Sequence, residues 1–428
     1  MTARTIQRTD GPLEATFRAP PSKSVTHRAL VAAALASGPS TIVGPLDAED
    51  TRVTLKALGA LGFRVRAGDS GWEVHGLGGE VRGGSEIDLA ESGTSFRILT
   101  AVASLGTRPS RLDGAPRLRE RPIGELAAAL RSLGAHLELS AKVEGLPIRV
   151  GGVPLRGGRV VLSAKRSSQF ATALLMVGSR LEKGLELVLE PPVVSLPYVD
   201  LTVAVLEAFG VEVNRPEELR WLVSPGDYPG RKYVVEGDHS SASYFLAAAA
   251  VVGGRVRIEH LDPGSAQPDG RLGLVLERLG CVVRRGPDWV EVEGTGSIPP
   301  FDLDLSASPD LVPTLAILAL FADGPCSMRG IAHLRLKESD RLALLAGNLR
   351  KLGRDAAATE DALLVKAPSG KALEGATIET ASDHRMAMAF SVAGLRVGGV
   401  RVDDAGCVAK SNRDFWKDLS RLEGGEPR

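Results

Sequence analysis

Residues 22–38 read SKSVTHRALVAAALASG, a start rich in hydroxyls and cations followed by an almost wholly apolar run. Five further segments follow the same plan. They begin at Ser92, Ser167, Ser240, Ser308 and Ser382. Their starts lie roughly 70 residues apart, and recurrence at a regular spacing is typical of a chain built from repeated structural units. The sequence therefore predicts six units, three in each half of the chain.

A second amphipathic segment follows most of these starts, as in PIGELAAALRSLG at residues 122–134. Apolar residues at i, i+3, i+4 and i+7 predict a helix, and the final glycine suits a helix C-cap. Strand-like pieces such as RVVLSA and LELVLE lie between the helices. Each unit is therefore predicted to hold two helices and about four strands. The result is a two-lobed α/β protein, with the crossing between lobes predicted at residues 235–243.

Length and composition limit which classes of protein this chain can belong to. The chain has 428 residues, more than the roughly 250–300 that one hydrophobic core usually organises, so two domains are expected. Lysine plus arginine (52) equals aspartate plus glutamate (52), which gives no reason to expect a nucleic-acid partner. No apolar run approaches the roughly 18 residues of a membrane span, and none is expected.

Cysteine usage and missing motifs narrow the class further. The three cysteines, Cys281, Cys326 and Cys407, are far apart, and the first 20 residues lack the apolar core of a secretory signal, so a cytoplasmic location is expected. The sequence has no GxGxxG after a strand, no GxxxxGK[ST], no HExxH and no paired Cys/His spacing. We expect no cofactor and no metal. Small anionic molecules are the class of substrate that still fits the sequence.

The polar helix starts are candidate anion sites because a helix N-terminus leaves N–H groups unpaired and carries partial positive charge. At the first start, Ser24 and Arg28 share a helix face and Lys23 lies at the tip. A phosphate or carboxylate suits this set. The alternative is that Ser22 only caps the helix and the cations are solvated.

The other starts carry related chemistry, with helix capping as the alternative at each. Their candidate residues are Gly93, Thr94 and Arg97 at the second start, Ser167, Ser168 and Gln169 at the third, Asp310 at the fifth, and Asp383, His384 and Arg385 at the sixth. A carboxylate or imidazole beside cations can act as a general acid or base, although a lone histidine there is more often structural.

Two cationic clusters lie outside these starts. Arg117, Arg119 and Arg121 precede a helix that is predicted to begin at Pro122. Lys337 and Arg341 are predicted to share one face of a helix start, where their repulsion favours a bound anion; the alternative is a solvated face on which Glu338 pairs with Arg341. Lys410 precedes the last helix.

Eight stretches together resemble the motifs of the 5-enolpyruvylshikimate-3-phosphate synthase family, in the family's order. They are PPSKSVTHRAL, SGTSFR, RLRERPIGEL, SSQF, SLPYVD, VEGDHSSASYFLAAAA, RLKESDRL and SDHRMAM. The resemblance spans nearly the whole chain. It implies two lobes of three βαβαββ units each, the inside-out α/β barrel of enolpyruvyl transferases. Residues 20–238 would form the first lobe, and residues 1–19 with 239–428 the second.

The resemblance also implies an activity, the transfer of an enolpyruvyl group from phosphoenolpyruvate to the 5-hydroxyl of shikimate 3-phosphate with release of phosphate. The residues that it implies for shikimate 3-phosphate are Lys23, Ser24, Arg28, Ser167, Ser168, Gln169, Ser195, Tyr198, Asp310, His333 and Lys337. Those that it implies for phosphoenolpyruvate are Lys23, Gly93, Thr94, Arg121, Gln169, Arg341, Arg385 and Lys410. The implied proton-transfer groups are Lys23, Asp310 and Glu338, with His384 beside Glu338.

Three positions depart from the family pattern: Glu91 and His333 each stand where the family has Asn, and Arg413 stands where it has Pro. We expect Glu91 to pair with a cation such as Lys23 or Arg97. Two alternatives to the main interpretation are the sister enzyme UDP-N-acetylglucosamine enolpyruvyl transferase and a non-catalytic anion-binding homologue. The expected partners are the two small-molecule substrates, and the expected state is a monomer.

Overall fold

The computed structural model of the chain describes residues 2–69, 71–140 and 145–424. The chain divides into two compact units. One is Pro21–Val235, and the other combines Met1–Pro20 with Glu236–Arg428. The sequence placed the corresponding limits at residues 20 and 238. Two strands, β1 (Arg4–Thr5) and β2 (Leu13–Arg18), precede the first unit along the chain and belong to the second.

The unit Pro21–Val235 alternates helices and strands. Its described helices are α1 (Lys23–Leu35), α2 (Glu49–Ala60), α3 (Gly93–Ser104), α4 (Pro116–Arg119), α5 (Gly124–Ser132), α6 (Gln169–Val177) and α7 (Pro197–Phe209), with a 3-10 turn at Gly178–Arg180. Its described strands are β3 (Ser37–Val43), β4 (Arg64–Gly68), β5 (Gly71–Leu77), β6 (Val81–Gly83), β7 (Glu86–Asp88), β8 (Gly106–Arg108), β9 (Ser110–Asp113), β10 (Leu137–Leu139), β11 (Ile148–Val150), β12 (Gly158–Ser163), β13 (Leu185–Glu190), β14 (Val213–Glu217), β15 (Arg220–Val223) and β16 (Lys232–Val234).

The second unit repeats this alternation. Its described helices are α8 (His239–Val252), α9 (Leu272–Arg278), α10 (Val312–Phe321), α11 (Arg341–Lys351), α12 (His384–Val397) and α13 (Phe415–Ser420). Its 3-10 turns are Pro268–Arg271, Pro309–Leu311, Ala332–Leu336 and Ala405–Lys410. Its further strands are β17 (Gly254–Glu259), β18 (Val282–Gly286), β19 (Trp289–Gly294), β20 (Asp302–Asp304), β21 (Cys326–Arg329), β22 (Ala356–Ala358), β23 (Ala362–Val365), β24 (Thr377–Ile378) and β25 (Arg401–Val402).

Five four-stranded sheets share one pairing plan, a parallel pair followed by two antiparallel pairs. Their orders are β16-β3-β5-β4, β7-β9-β11-β10, β12-β13-β15-β14, β2-β17-β19-β18 and β20-β21-β23-β22. Identical pairing in five sheets confirms the predicted repeat. In the described residues the sixth sheet, β24-β25-β1, has three strands, and β1 from the other end of the chain supplies its antiparallel neighbour. The prediction of about four strands was therefore wrong for this unit. Strands β6 and β8 form a separate parallel pair.

The apolar runs of the repeat form the centre of each unit. Helices α1, α3 and α6 pack on one another, as do α8, α10 and α12. Nearly every residue of these six helices is buried, which is what a helix that is apolar on all sides requires. Their alanines let the backbones approach closely. The polar residues that remain are concentrated at the helix starts.

Two features are missing from the residues that the structure describes. None of the helices there combines the length and the apolar character needed to span a bilayer. No cluster of three or more His, Cys, Asp or Glu side chains in that part of the chain could hold a metal ion.

Candidate active site

The start of α1 holds a lysine in a fixed position. Ser22 caps the helix, since its side-chain oxygen accepts a hydrogen bond from the backbone N–H of Val25 at 3.4 Å. The adjacent Lys23 forms an ion pair with Asp50 of α2, at 3.0 Å between Nζ and Oδ2. Both side chains are largely buried. The ammonium group is thus held at the helix tip beside a carboxylate.

Arg28, one turn further along α1, ties together three helices. Its Nε donates to Thr202 Oγ1 of α7 at 2.9 Å, and its Nη2 donates to Thr172 Oγ1 of α6 at 3.3 Å. The backbone carbonyls of Ser24 and Tyr198 accept two further bonds from the guanidinium. Burial lowers the pKa of Arg28 to about 10, so the side chain stays charged at neutral pH.

The start of α3 is shaped by a close approach between Gly93 and Arg121. A Cβ atom on Gly93 would lie 2.1 Å from Arg121 Nη1, so any side chain here would displace this buried guanidinium. Ser92 caps the helix by accepting from Ser95 N. The result is a cation beside the first residue of a helix, an arrangement that suits a phosphate.

The starts of α3 and α6 are joined. Gln169 Nε2 donates to Thr94 Oγ1 at 3.2 Å, and the backbone N–H of Gln169 donates to Ser167 Oγ. Gln169 Oε1 is buried and accepts no hydrogen bond from the described residues, which leaves it available to a ligand hydroxyl. The neighbouring Ser168 is also buried.

The turn before α7 carries the next two predicted residues. Ser195 is buried and adopts φ 55°, a conformation that is uncommon for residues with a side chain. Its carbonyl accepts the N–H of Tyr198, whose own carbonyl is bound by Arg28. Backbone strain of this kind is often found at functional sites.

A buried network of polar side chains connects the N-terminal parts of α1, α2 and α3. His27 Nδ1 lies 2.7 Å from Thr54 Oγ1, which lies 2.7 Å from Ser95 Oγ, which in turn lies 2.6 Å from Ser92 Oγ. Burial is the main reason that the pKa of His27 falls to about 3, so this imidazole is neutral. The network therefore fixes α1, α2 and α3 relative to one another without adding charge.

In the second unit, Arg341 at the start of α11 binds three carboxylates. Its Nε donates to Asp383 Oδ2 at 2.8 Å, its Nη1 to Asp310 Oδ1 at 3.1 Å and its Nη2 to Glu338 Oε2 at 2.6 Å. Asp383, which caps α12, is completely buried. A buried arginine with three acidic partners is firmly oriented.

Asp310 is held between two arginines. Its Oδ2 accepts from Arg385 Nη2 at 2.7 Å, while Arg341 binds its other oxygen. Burial by itself would raise the pKa of Asp310, but Arg385, Lys337 and Arg341 outweigh burial and hold that pKa well below its usual range. Asp310 is therefore ionised and able to accept a hydrogen bond or a proton.

The remaining predicted residues lie around this cluster. His384 begins α12 with a buried ring whose Nδ1 is 3.9 Å from Asp383 Oδ1. His333 is buried in the 3-10 turn before Lys337, and burial, followed by the positive charge of Lys337, lowers its pKa to about 3. Lys410 is buried at the end of the 3-10 turn Ala405–Lys410.

Two predicted helix starts are wrong. Lys337 and Arg341 do not share a helix face, because Asp340 caps α11 by accepting from Ala343 N and the helix begins only at Arg341. The charged solvent face weighed as the alternative is also wrong, since Arg341 is buried, although its pairing with Glu338 is present.

The other wrong start concerns the arginine-rich segment before α5. Arg117 and Arg119 belong to the one-turn helix α4, and α5 begins at Gly124 rather than at Pro122. Arg121 lies in the connection between α4 and α5, where its backbone N–H donates to the Leu118 carbonyl.

Sequence reasoning missed Asp50, the partner of Lys23, and Asp269, a buried acid in the turn before α9. Polar residues at the start of the second helix of a unit were the available signal, because both acids lie there. Glu91 is exposed, and its pairing with Lys23 or Arg97 stays a prediction. The contacts described for these two cations include Asp50 and the carbonyls of Gly93 and Pro122.

Comparisons with known proteins agree with one another. A family model described as EPSP synthase (3-phosphoshikimate 1-carboxyvinyltransferase) matches residues 7–419. A Methanosphaerula palustris protein named 3-phosphoshikimate 1-carboxyvinyltransferase is 43% identical over 414 residues, 96% of this chain and 97% of that protein. One of the same name from Methanoculleus marisnigri is 45% identical over 413 residues, again 96% and 97%. A solved EPSP synthase structure from Acinetobacter baumannii matches with TM-score 0.80 at 28% identity, covering 99% of this chain and 98% of that one.

Proposed function

The chain belongs to the EPSP synthase (3-phosphoshikimate 1-carboxyvinyltransferase) family, and we propose how its residues divide the work of that reaction. The enzyme transfers the enolpyruvyl group of phosphoenolpyruvate to the 5-hydroxyl of shikimate 3-phosphate and releases phosphate. It is a transferase of the shikimate pathway, which supplies aromatic amino-acid biosynthesis. The relatives support this activity over the UDP-N-acetylglucosamine enolpyruvyl transferase alternative. The monomeric state and the cytoplasmic location stay predictions.

For shikimate 3-phosphate, the proposed contacts come mainly from the starts of α1, α6 and α7. Ser24 and Arg28 would hold its carboxylate. The groups proposed for its 3-phosphate and hydroxyls are Lys23, Ser167, Ser168, Gln169, Ser195, Tyr198, His333 and Lys337, with Asp310 at the 5-hydroxyl. The buried, unpaired Oε1 of Gln169 supports this assignment, because a ligand hydroxyl can supply the missing donor.

For phosphoenolpyruvate, the proposal separates phosphate from carboxylate. Lys23, Gly93, Thr94, Arg121 and Gln169 would face the phosphate, supported by the guanidinium that lies over Gly93. The carboxylate would bind Arg341, Arg385 and Lys410. Because Arg341 and Arg385 already hold carboxylates in the structure, a substrate carboxylate meets cations that are oriented in advance.

The chemistry needs proton transfers in two directions. The 5-hydroxyl must lose a proton and C3 of the enolpyruvyl group must gain one to form the tetrahedral adduct, and elimination of phosphate reverses the protonation of C3. We assign these transfers to Asp310, Glu338 and Lys23, with His384 as the neighbouring imidazole.

The observation that carries the assignment is Asp310 held between two arginines. In this state its low pKa makes it a weak base. A substrate carboxylate that takes over Arg341 and Arg385 would withdraw those counter-charges, raise the pKa of Asp310 and strengthen it as a base when the second substrate arrives.

The test is a phosphate-release assay with purified protein and both substrates. We expect turnover that requires shikimate 3-phosphate and phosphoenolpyruvate together. UDP-N-acetylglucosamine in place of shikimate 3-phosphate should give none. Phosphate release with neither acceptor, or with the nucleotide sugar alone, would contradict the proposal.

A further inference from the structure

Asp269 is a buried carboxyl group that the mechanism above does not use. It lies in the 3-10 turn Pro268–Arg271. Ser240, in the first turn of α8, donates its hydroxyl hydrogen to Oδ2. Oδ1 is also buried and accepts no hydrogen bond within the described part of the chain. Burial removes the hydration of this carboxylate, and a single hydrogen bond replaces it only in part. The protonated form of Asp269 is therefore favoured.

The turn that carries Asp269 is joined to the turn that carries Asp310. Ser308 Oγ donates to the Pro268 carbonyl at 3.1 Å, and both turns pack on α8. Burial and the negative charge of Asp310 raise the pKa of Asp269 to about 7, while Arg385 and Ser240 act in the opposite direction. Asp269 and Asp310 therefore share the influence of one arginine.

The titratable and charged groups near Asp269 come from α8, from the neighbouring turn and from α12. They are Asp238, His239, Tyr244, Asp310 and Arg385, and Asp310 in turn lies near Lys337, Glu338 and Arg341. Burial raises the pKa of Tyr244 to about 12 and lowers that of His239, so neither is charged at neutral pH. Asp238 accepts the N–H of Ser241 as the cap of α8. Asp269 is the member of this set whose charge changes near pH 7.

We propose that Asp269 takes up a proton from solvent when the carboxylate of phosphoenolpyruvate binds Arg385, and that this uptake leaves Asp310 ionised to receive the 5-hydroxyl proton. The inference rests on the proposed function. The incoming carboxylate adds a negative charge and occupies the shared arginine, and both changes favour the protonated form of a nearby buried carboxyl group. Asp269 is the carboxylate of this set that is most readily protonated, so it takes up the proton. It acts through Arg385 and Asp310, as a positioning residue.

The experiment measures KM for phosphoenolpyruvate from pH 6 to 9 in three proteins: wild type, Asp269→Asn and Ser240→Ala. The ratio of wild-type KM to variant KM cancels the substrate's own titration. Above about pH 7 the wild-type KM should rise up to tenfold per pH unit relative to Asp269→Asn, because binding must then acquire a proton that the amide does not need. Ser240→Ala removes a donor to the ionised form, so its rise should begin at higher pH.

Asp302→Asn is the matched control, since Asp302 lies in the same unit but is exposed and paired with Arg329. Its KM profile should follow wild type. A constant ratio between wild type and Asp269→Asn overturns the inference while wild-type turnover leaves the proposed function intact. Absence of wild-type turnover overturns both. If circular dichroism shows Asp269→Asn unfolded, an unshifted onset in Ser240→Ala overturns the inference.

Discussion

Replacing Gly93 by alanine should damage binding of phosphoenolpyruvate without damaging the fold. The added Cβ would lie 2.1 Å from Arg121 Nη1 and 2.4 Å from Cζ. Ordinary contact begins near 3.4 Å, so the guanidinium must retreat by about 1.3 Å. All three clashing atoms belong to the far end of the flexible Arg121 side chain, so the guanidinium can move while the backbone stays in place. The cation proposed for the phosphate is thereby misplaced.

The magnitude follows from what a misplaced cation loses. A hydrogen bond to a charged group contributes about 1.5–3 kcal/mol, which corresponds to about 10- to 100-fold in KM for phosphoenolpyruvate. KM for shikimate 3-phosphate should change less than about threefold, because Arg121 is proposed to bind phosphoenolpyruvate only. Gly93 begins α3 without a positive φ, so alanine fits the backbone and should leave the melting temperature unchanged or slightly higher.

Steady-state kinetics with each substrate varied in turn, together with thermal denaturation, tests this separation. Gly347→Ala is the matched control, because Gly347 also lies in a helix but has no atom within 4 Å of its added Cβ. Combining Gly93→Ala with Arg121→Lys should give less than the sum of the two effects if alanine acts through the arginine. An unchanged KM for phosphoenolpyruvate in Gly93→Ala would refute the role given to Arg121.

Three further predictions concern other parts of the site. Asp310→Asn and Glu338→Gln should each lower kcat roughly 10²- to 10⁴-fold in the phosphate-release assay, and near-normal kcat would remove that residue from proton transfer. Arg28→Lys should raise KM for shikimate 3-phosphate and lower the free energy of unfolding by about 2–4 kcal/mol in urea titrations, since one guanidinium joins three helices; an unchanged midpoint would contradict this. The folded pKa of His27, about 3, lies below its unfolded value of 6.5, so stability should fall below pH 6.5 by up to about 1.4 kcal/mol per pH unit. His27→Gln should flatten that slope in urea titrations at pH 5–7, the exposed His136→Gln should not, and equal slopes in both would count against a buried neutral His27.

The repeat could be predicted from sequence because each unit encodes it locally. An uninterrupted Ala- and Leu-rich run after a polar start has few ways to fold other than as a buried helix. The sixth sheet could not be predicted in the same way, since β1 reaches it from the opposite end of the chain. Likewise, the predicted start of α11 was based on the cations Lys337 and Arg341. The helix begins instead after Asp340, whose side chain caps it.

The site was predictable in its residue types and much less so in its pairings. Cations and hydroxyls within a few residues of a helix start predict an anion-binding site. The pairing of Lys23 with Asp50, or of Arg341 with Asp383, joins residues far apart along the chain, and no local signal specifies it. Such long-range pairs orient each side chain, and hence decide its possible role.

The pairing of β1 and β2 affects the order in which the two units can complete folding. The unit Pro21–Val235 is continuous in sequence and can begin to fold as soon as it leaves the ribosome. In contrast, β2 forms its parallel pairing with β17, more than half a chain later, and β1 pairs with β25 near the end. Both strands are therefore synthesised long before the strands with which they pair. During synthesis they remain exposed strand edges, open to chaperones or to mispairing with neighbouring chains.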